Sequence, residues 1–561
     1  MKIYFKKVLL GLTFVSGLML TGCSDEEYAD ANTNPDVLTE VAPENQFLSA
    51  SLSLQSNDFE MFYDQYRRIM PWMQYLTGAG GNARNFTRNI DNFSWRDDRL
   101  YIGVGNALYD AEQIIGGMSA EDQARYVDML NIIRIVKAYY AFYVSDVFGS
   151  VAYTEAWQAR YGGTLTPVYD DQRTLFLKLN DELAAAVTAL NAEKTVGQVP
   201  LGNYDIYFQG DVKSWVRSAN AVRLRLAMRL LKREASTAEG IIDNVLSQGA
   251  DNLMANNAQG WVFKGNAGFT GGGNWNPDLL YAGKPLVDFM LDNNDPRLDA
   301  IVAPNGYSQT VIDEFIEEGD LEAGTIEDER YIGSFTVPDL AQANPEYYVR
   351  RIVPSSGRTV DSVSMIQRRL FQPSFDEGNG VGTGFVYMPV LTYAEFCFMR
   401  AELAARNITS EDAEEWYIKG VTASIEWYNT LAVDGKLSNY TALDDNEIQD
   451  YLNQPGIAFE ASMALEQIAS QAYIHYFKQP AEGWALWKRT GLPNTTTVFE
   501  LPALLSNGAP LTVPRRAPLS LLLETNPNYD NQKAAYDAML ADPAFGADIN
   551  DVTGRVWWDQ Q

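Results

Sequence analysis

The chain has 561 residues, and its 43 basic against 73 acidic side chains give a formal charge of -30. That balance excludes nucleic acid as a partner, because affinity there comes from Lys and Arg neutralising phosphates, and it excludes adhesion of the protein body to an anionic membrane. Two Cys and one His exclude a two-His zinc motif.

Lys2, Lys6 and Lys7 give a positive start, followed by an apolar run over 8–20 and then Leu20-Thr21-Gly22-Cys23. A basic flank, a short apolar core and small residues before a cut site describe a secretory signal over 1–22. The core is ~13 residues, short of the roughly 18 to 20 that span a bilayer as a helix. Cys23 directly after Leu-Thr-Gly resembles the lipobox of bacterial lipoproteins. In that family the chain is cut before the Cys, and its thiol and new amine carry palmitate-type acyl chains. Each buried methylene contributes about 0.8 kcal/mol, so several chains give stable attachment. The stretch 23–43 is polar and acidic, and it reads as a flexible tether from the lipid to the body.

From residue 44 to 561 the pattern is that of one helical domain. Ser119-Ala120-Glu121-Asp122 reads as a capping box. After it, Met129, Ile132, Ile133, Val136, Tyr140 and Tyr143 recur at helical spacing. Ile135, Ala138, Tyr139 and Phe142 widen the stripe, so this helix is expected to be buried on most sides. Helices are also expected over 167–190, 211–231, 395–406 and 464–476. Thr409-Ser410-Glu411-Asp412 reads as a second capping box, opening a helix that reaches about Asn429. Successive helical pairs suggest stacked units of the tetratricopeptide kind, although no clean period appears. The stretches 72–95, 260–279 and 303–384 are long loops rich in Gly, Asn, Pro and aromatics. Loops of that length are functional or carry small local structure.

Catalytic patterns are sparse. His475 lies in an apolar helical stretch and reads as a satisfied core residue. Cys397, between Phe396 and Phe398, reads as an inert buried thiol. With Cys23 lipidated it has no disulfide partner. Adjacent acids such as Asp170-Asp171 and Asp444-Asp445 read as helix caps rather than a glycosidase pair. No stretch fits the twelve-residue calcium loop, so a structural calcium is allowed by composition but has no assigned site.

Several stretches together resemble the SusD/RagB group of outer-membrane lipoproteins. The run 146–156 is similar to a turn of that family, with Ala152 where Pro is usual. Gly210-Asp211 with Trp215, Asn220, Leu224, Arg225 and Arg229 is a second match, and Asn294-Asp295-Pro296-Arg297-Leu298 a third. Tyr393-Ala394-Glu395, continuing to Ala401-Glu402-Leu403-Ala404, is a fourth. The run 471–493, with Glu482, Trp484, Arg489, Thr490 and Gly491, is a fifth. Pro514-Arg515-Arg516, with Glu524 and Asn526 beyond, closes the set. The resemblance implies an all-α scaffold of four tetratricopeptide-like helix pairs with long irregular loops and little β-structure. It implies a lipid-anchored protein on the outer face of the outer membrane, forming the lid of a SusC-like TonB-dependent transporter. It implies capture of an oligosaccharide, or in some members a peptide, without catalysis and without a cofactor. A surface glycosidase and an adhesin are the alternatives from other classes. The motif residues are expected to fix packing, and the loops to carry specificity.

Sugar rings stack an apolar face on aromatic rings and hydrogen-bond amides and carboxylates at their edges. The ligand-contact candidates are therefore the aromatics and amides of the Gly- and Asn-rich loops. They are Trp72, Tyr75, Asn82, Phe86 and Trp95 in the first loop, and Phe269, Asn274, Trp275 and Asn276 in the second, with Tyr307 beyond.

Overall fold

The computed structural model describes residues 41–78, 80–82, 86, 93–277, 280–375, 383–438 and 440–560. The expected leader, Cys23 and most of the expected tether lie outside the described residues.

Ten helices carry the scaffold: α1 (Pro43–Gln55), α2 (Gly105–Gly116), α3 (Val127–Phe148), α4 (Gln172–Asn191), α5 (Val212–Leu230), α6 (Ala235–Leu246), α7 (Tyr393–Ala405), α8 (Ala413–Asp434), α9 (Ala464–His475) and α10 (Pro480–Thr490). Consecutive helices pack as pairs, α1 on α2, α3 on α4, α5 on α6 and α7 on α8. Contacts of α2 with α3, α4 with α5, α5 with α7 and α7 with α9 join the pairs into one stack. The all-α class and the four pairs expected from the resemblance are what the fold shows.

Local sequence accounts for most element ends. Asp171 and Asp211 cap α4 and α5 by accepting from the backbone N–H of Thr174 and Ser214, which satisfies donors that have no partner inside the helix. Both helices begin at the cap, so α4 starts five residues later than its expected bound of 167. The apolar positions Leu175, Leu179, Leu183 and Leu190 are all buried, as are Trp215, Val222, Leu226 and Leu230. α3 is buried on most of its circumference, as its broad apolar stripe requires.

Two expected boundaries change. Ser119 does cap a helix, accepting from the N–H of Asp122, but that helix is the single turn Ala120–Gln123. α3 begins separately after Tyr126, with no side-chain cap. The cap of α8 is Asp412 rather than Thr409: Asp412 accepts from the N–H groups of Glu414 and Glu415, and the helix runs on to Asp434. Asp444 forms a complete capping box with Glu447, in line with its reading as a cap.

The long loops are partly structured. The stretch 260–279 opens with a strand, β1 (Trp261–Asn266), which pairs antiparallel with β2 (Phe385–Leu391), from Trp261 opposite Leu391 to Asn266 opposite Phe385. Its partner lies more than a hundred residues away, so local pattern did not reveal it. The stretch 303–384 holds a small satellite core of Val311, Phe315, Val353 and Val360. Among the described residues every sheet has two strands.

Candidate ligand-binding site

A shelf of aromatic rings lies between α1 and α2. After α1 the chain forms a helix of the wide, i→i+5 type over Glu60–Ile69, and the N–H of Met70 continues that pattern onto the carbonyl of Gln65. Wide turns are rare and recur at functional sites. Phe59 and Tyr63, four residues apart, share one face. Their rings stack 6.0 Å apart at 9°. Trp95 stacks on Phe59 at 4.5 Å and 23° and lies 17° from the plane of Tyr63. Phe59 is 38% exposed although large and apolar, while Tyr63 and Trp95 are half-buried. Phe62 meets Tyr63 edge-on at 5.1 Å.

Buried polar groups hold the shelf from beneath. Asn57 donates to the Glu60 carboxylate at 3.0 Å and to the carbonyl of Trp95 at 3.1 Å. Arg96, fully buried, donates Nε–H to Glu60 at 3.0 Å, and its guanidinium covers the Tyr143 ring at 3.7 Å. Tyr143 donates its hydroxyl to the same carboxylate. A charge pair so deep orients Trp95 through the neighbouring residue, and removing one partner would strand the other charge. Burial, and then the nearby Glu60, push Asp64 well above the ordinary carboxyl range.

The second loop reaches the same place. Asp58 accepts from the backbone N–H of Asn274 at 2.8 Å and from its side-chain amide at 3.0 Å. Gly273, at φ +80°, lies where a Cβ would stand 2.6 Å from the Asp58 carboxylate, so glycine is required for this approach. Tyr66 donates to the carbonyl of Trp275 at 2.7 Å. Phe269 lies 6.2 Å from the Trp275 ring.

Behind the shelf is a cavity of about 130 Å³ with Met61, Gln65, Tyr139, Trp275, Tyr387 and Lys478 in its walls. Ligand pockets usually span roughly 300–1,000 Å³, so this cavity is too small to take an oligomer. Lys478 donates to the carbonyl of Leu370 at 2.7 Å, and burial brings its pKa down to about 7.

The sequence-read candidates divide accordingly. Trp95 joins Phe59 and Asn274 joins Asp58, whereas Trp275 is only 6% exposed and lines the inner cavity, with Phe269 beside it. Trp72 and Tyr75 are wholly buried: Trp72 lies 5.3 Å from Trp484, and Tyr75 stacks at 4.3 Å on Tyr473. Both are core and present no face to a ligand. Asn82 is buried, donating to the carbonyl of Pro71 at 2.9 Å. Phe86 packs half-buried against the core. Asn276 accepts from Arg368 at 2.8 Å. Tyr307 packs against the satellite core, 5.9 Å from Phe315. Asp58, Phe59 and Tyr63 were not among the candidates. Their signal was a run of aromatics on a polar, Asn- and Asp-started helix, a pattern that a core face also carries.

The family-like motif residues lie inside. Arg225 donates to Glu395 through Nε and Nη2, each at 2.6 Å, and Arg229 bridges Asp146 at 3.0 Å and Glu482 at 2.6 Å. Burial alone would raise Glu482, but Arg225 and Arg229 override it and hold the carboxyl down at about 2. Trp484 donates to the carbonyl of Pro514 at 2.8 Å, and Arg489 pairs with Glu402. Buried His475 bridges the hydroxyls of Thr392 at 2.7 Å and Ser424 at 3.1 Å. Cys397 is free and buried, and burial pushes its thiol up to about 12. No group of three or more His, Cys, Asp or Glu converges as a metal set among the described residues.

Comparison with known proteins agrees with this architecture. A solved structure described as a chitin-binding protein is 22% identical, with a TM-score of 0.70 over 92% of this chain and 100% of its own. A SusD homolog from Bacteroides fragilis NCTC 9343 is 20% identical, with a TM-score of 0.63 over 93% and 100%. A chitin-binding SusD homolog from Flavobacterium johnsoniae is 19% identical, with a TM-score of 0.60 over 92% and 98%. None of the curated protein sequences matches. The model of the SusD-like family described as starch-binding and associating with the outer membrane matches residues 35–517, and the chain belongs to that family.

Proposed function

We propose that this protein is a lipoprotein on the outer face of the outer membrane that holds a nutrient oligosaccharide and passes it, unaltered, to a SusC-like TonB-dependent transporter. Residues 1–22 would be removed, Cys23 acylated, and 23–43 would tether the single domain that follows. Among the described residues no helix is long and apolar enough to cross a membrane, and the anchor read here is the lipid on Cys23. The observation that carries the binding role is the near-parallel set of rings Phe59, Tyr63 and Trp95 at the surface. The uncovered parts of these rings, Phe59 above all, fit the apolar side of a sugar ring, and Asp58, next to Phe59 in the chain, offers a carboxylate to its hydroxyls. The family description and the two chitin-binding structural relatives favour a glycan over a peptide.

Titration calorimetry with chito- and malto-oligosaccharides tests this reading. Phe59→Ala and Trp95→Ala should each weaken binding by about 2 kcal/mol, roughly thirtyfold, with unchanged helical circular dichroism. Binding of a peptide mixture but of neither sugar series would overturn the glycan assignment. In the native host, Cys23→Ala should move the protein from the outer-membrane fraction to the soluble one. Retention in the membrane would refute the anchor.

A further inference from the structure

A second aromatic recess adjoins the shelf, and Trp95 lines it too. It is a cleft of about 780 Å³ between the start of α2 and the turn at 157–161, large enough for a ligand segment. Trp157, Tyr109 and Tyr161 supply rings, and the exposed Ile102 and Arg160 form part of its rim.

The cleft is built at a cost. Trp157 takes a left-handed backbone, φ 64° and ψ 2°, which L-residues with large side chains rarely adopt. A Cβ on Gly105 would stand 2.2 Å from its ring, so helix and indole meet only because that residue is glycine. The indole N–H groups of Trp157 and Trp95 are both buried without an acceptor. An unpaired buried donor costs about 1–3 kcal/mol, and two of them in the walls of one cleft call for an explanation beyond packing. Asp110 holds the far wall in place: it accepts from the Tyr161 hydroxyl, from Gln46 at 2.5 Å and from Arg160 at 3.0 Å.

Resting on the glycan reading above, we infer that this cleft is a second subsite for the same linear oligosaccharide, with Trp95 as the wall the two subsites share. One sugar segment stacks on the shelf. The next enters the cleft, where its ring oxygens and hydroxyls give the Trp157 indole N–H an acceptor after a small turn of that ring, while Trp95 keeps its stack on Phe59. Specificity then rests on chain length: a short sugar fills the shelf alone, and an extended one engages both subsites.

Calorimetry with a disaccharide and a hexasaccharide of the chito and malto series tests this on the full protein. The hexasaccharide should bind about tenfold tighter than the disaccharide. Tyr161→Ala, an exposed position, and Trp157→Phe, which keeps an aromatic ring in place, should each remove most of that gain and leave disaccharide affinity unchanged. Hydrogen exchange at 157–163 should slow with the hexasaccharide and not with the disaccharide. Equal affinity for both lengths, or equal loss for both in the variants, would overturn the second subsite while leaving the shelf intact. Failure of the wild type to bind either series would overturn the glycan reading itself, and this inference with it.

Discussion

His475, the chain's one histidine, shows how much a buried position changes a residue's chemistry. Burial, with Arg297 nearby, brings its pKa from 6.5 down to about 3, so the folded protein holds it neutral between two hydroxyls. The unfolded chain protonates it below about pH 6.5. Over that window the unfolded state binds the extra proton, so stability falls as pH falls. Between pH 7 and pH 5 this one group should remove about 2 kcal/mol. His475→Gln keeps hydrogen-bonding capacity without the titration. The stability gap between the wild type and this variant should therefore narrow by that amount from pH 7 to pH 5 in denaturant melts. A constant gap would show that the imidazole charges inside the fold. The same scale limits what aromatic counting can do. Trp72 and Trp95 both sit in Gly- and Asn-rich sequence, yet one is core and the other forms the shelf. Exposure is set by what packs against a ring, and for Trp72 that is Trp484, about four hundred residues away.

At the scale of elements, the helices were the most legible part. Their apolar period and their Asp caps are local, and α3, α4, α5, α7 and α9 lie close to where the pattern put them. The start of α8 was misjudged because Thr409 and Asp412 both fit a cap, and only backbone geometry chooses between them. Asp412 receives two N–H groups, whereas the Thr409 hydroxyl is buried without a partner. Asp412→Ala should cost about 1 kcal/mol. Thr409→Val, which removes an unpaired hydroxyl at similar shape, should be neutral or stabilising. Thermal melts of the two variants separate the assignments, and a larger loss from Thr409→Val would reverse them. The wide helix Glu60–Ile69 has no side-chain cap, and its aromatic run reads equally as a core face, so the shelf is not among the expected sites.

For the molecule as a whole, buried charge joins helix pairs that are distant in sequence. Arg225 and Arg229 on α5 reach Glu395 on α7, Glu482 on α10 and Asp146 on α3. Arg225→Met alone should destabilise by about 3–5 kcal/mol, because it leaves the buried Glu395 carboxyl without its partner. Adding Glu395→Leu should recover most of that loss, since a well-packed apolar pair can replace a buried ion pair. Chemical denaturation of the two variants checks this. A double variant no more stable than Arg225→Met would show that the pair contributes beyond its mutual compensation.

From the sequence alone came the helical class, the ordered motifs that resemble a SusD-like scaffold and their structural character. The helical class follows from local period and capping chemistry, and the scaffold from the resemblance that the motifs carry to a known family. Which aromatics face outward, where β1 finds its partner, and how Asp58 and Trp95 come to stand beside Asn274 were decided by the tertiary structure. Each of those depends on groups far apart in the chain, and burial and contact exist only once the helix pairs have stacked.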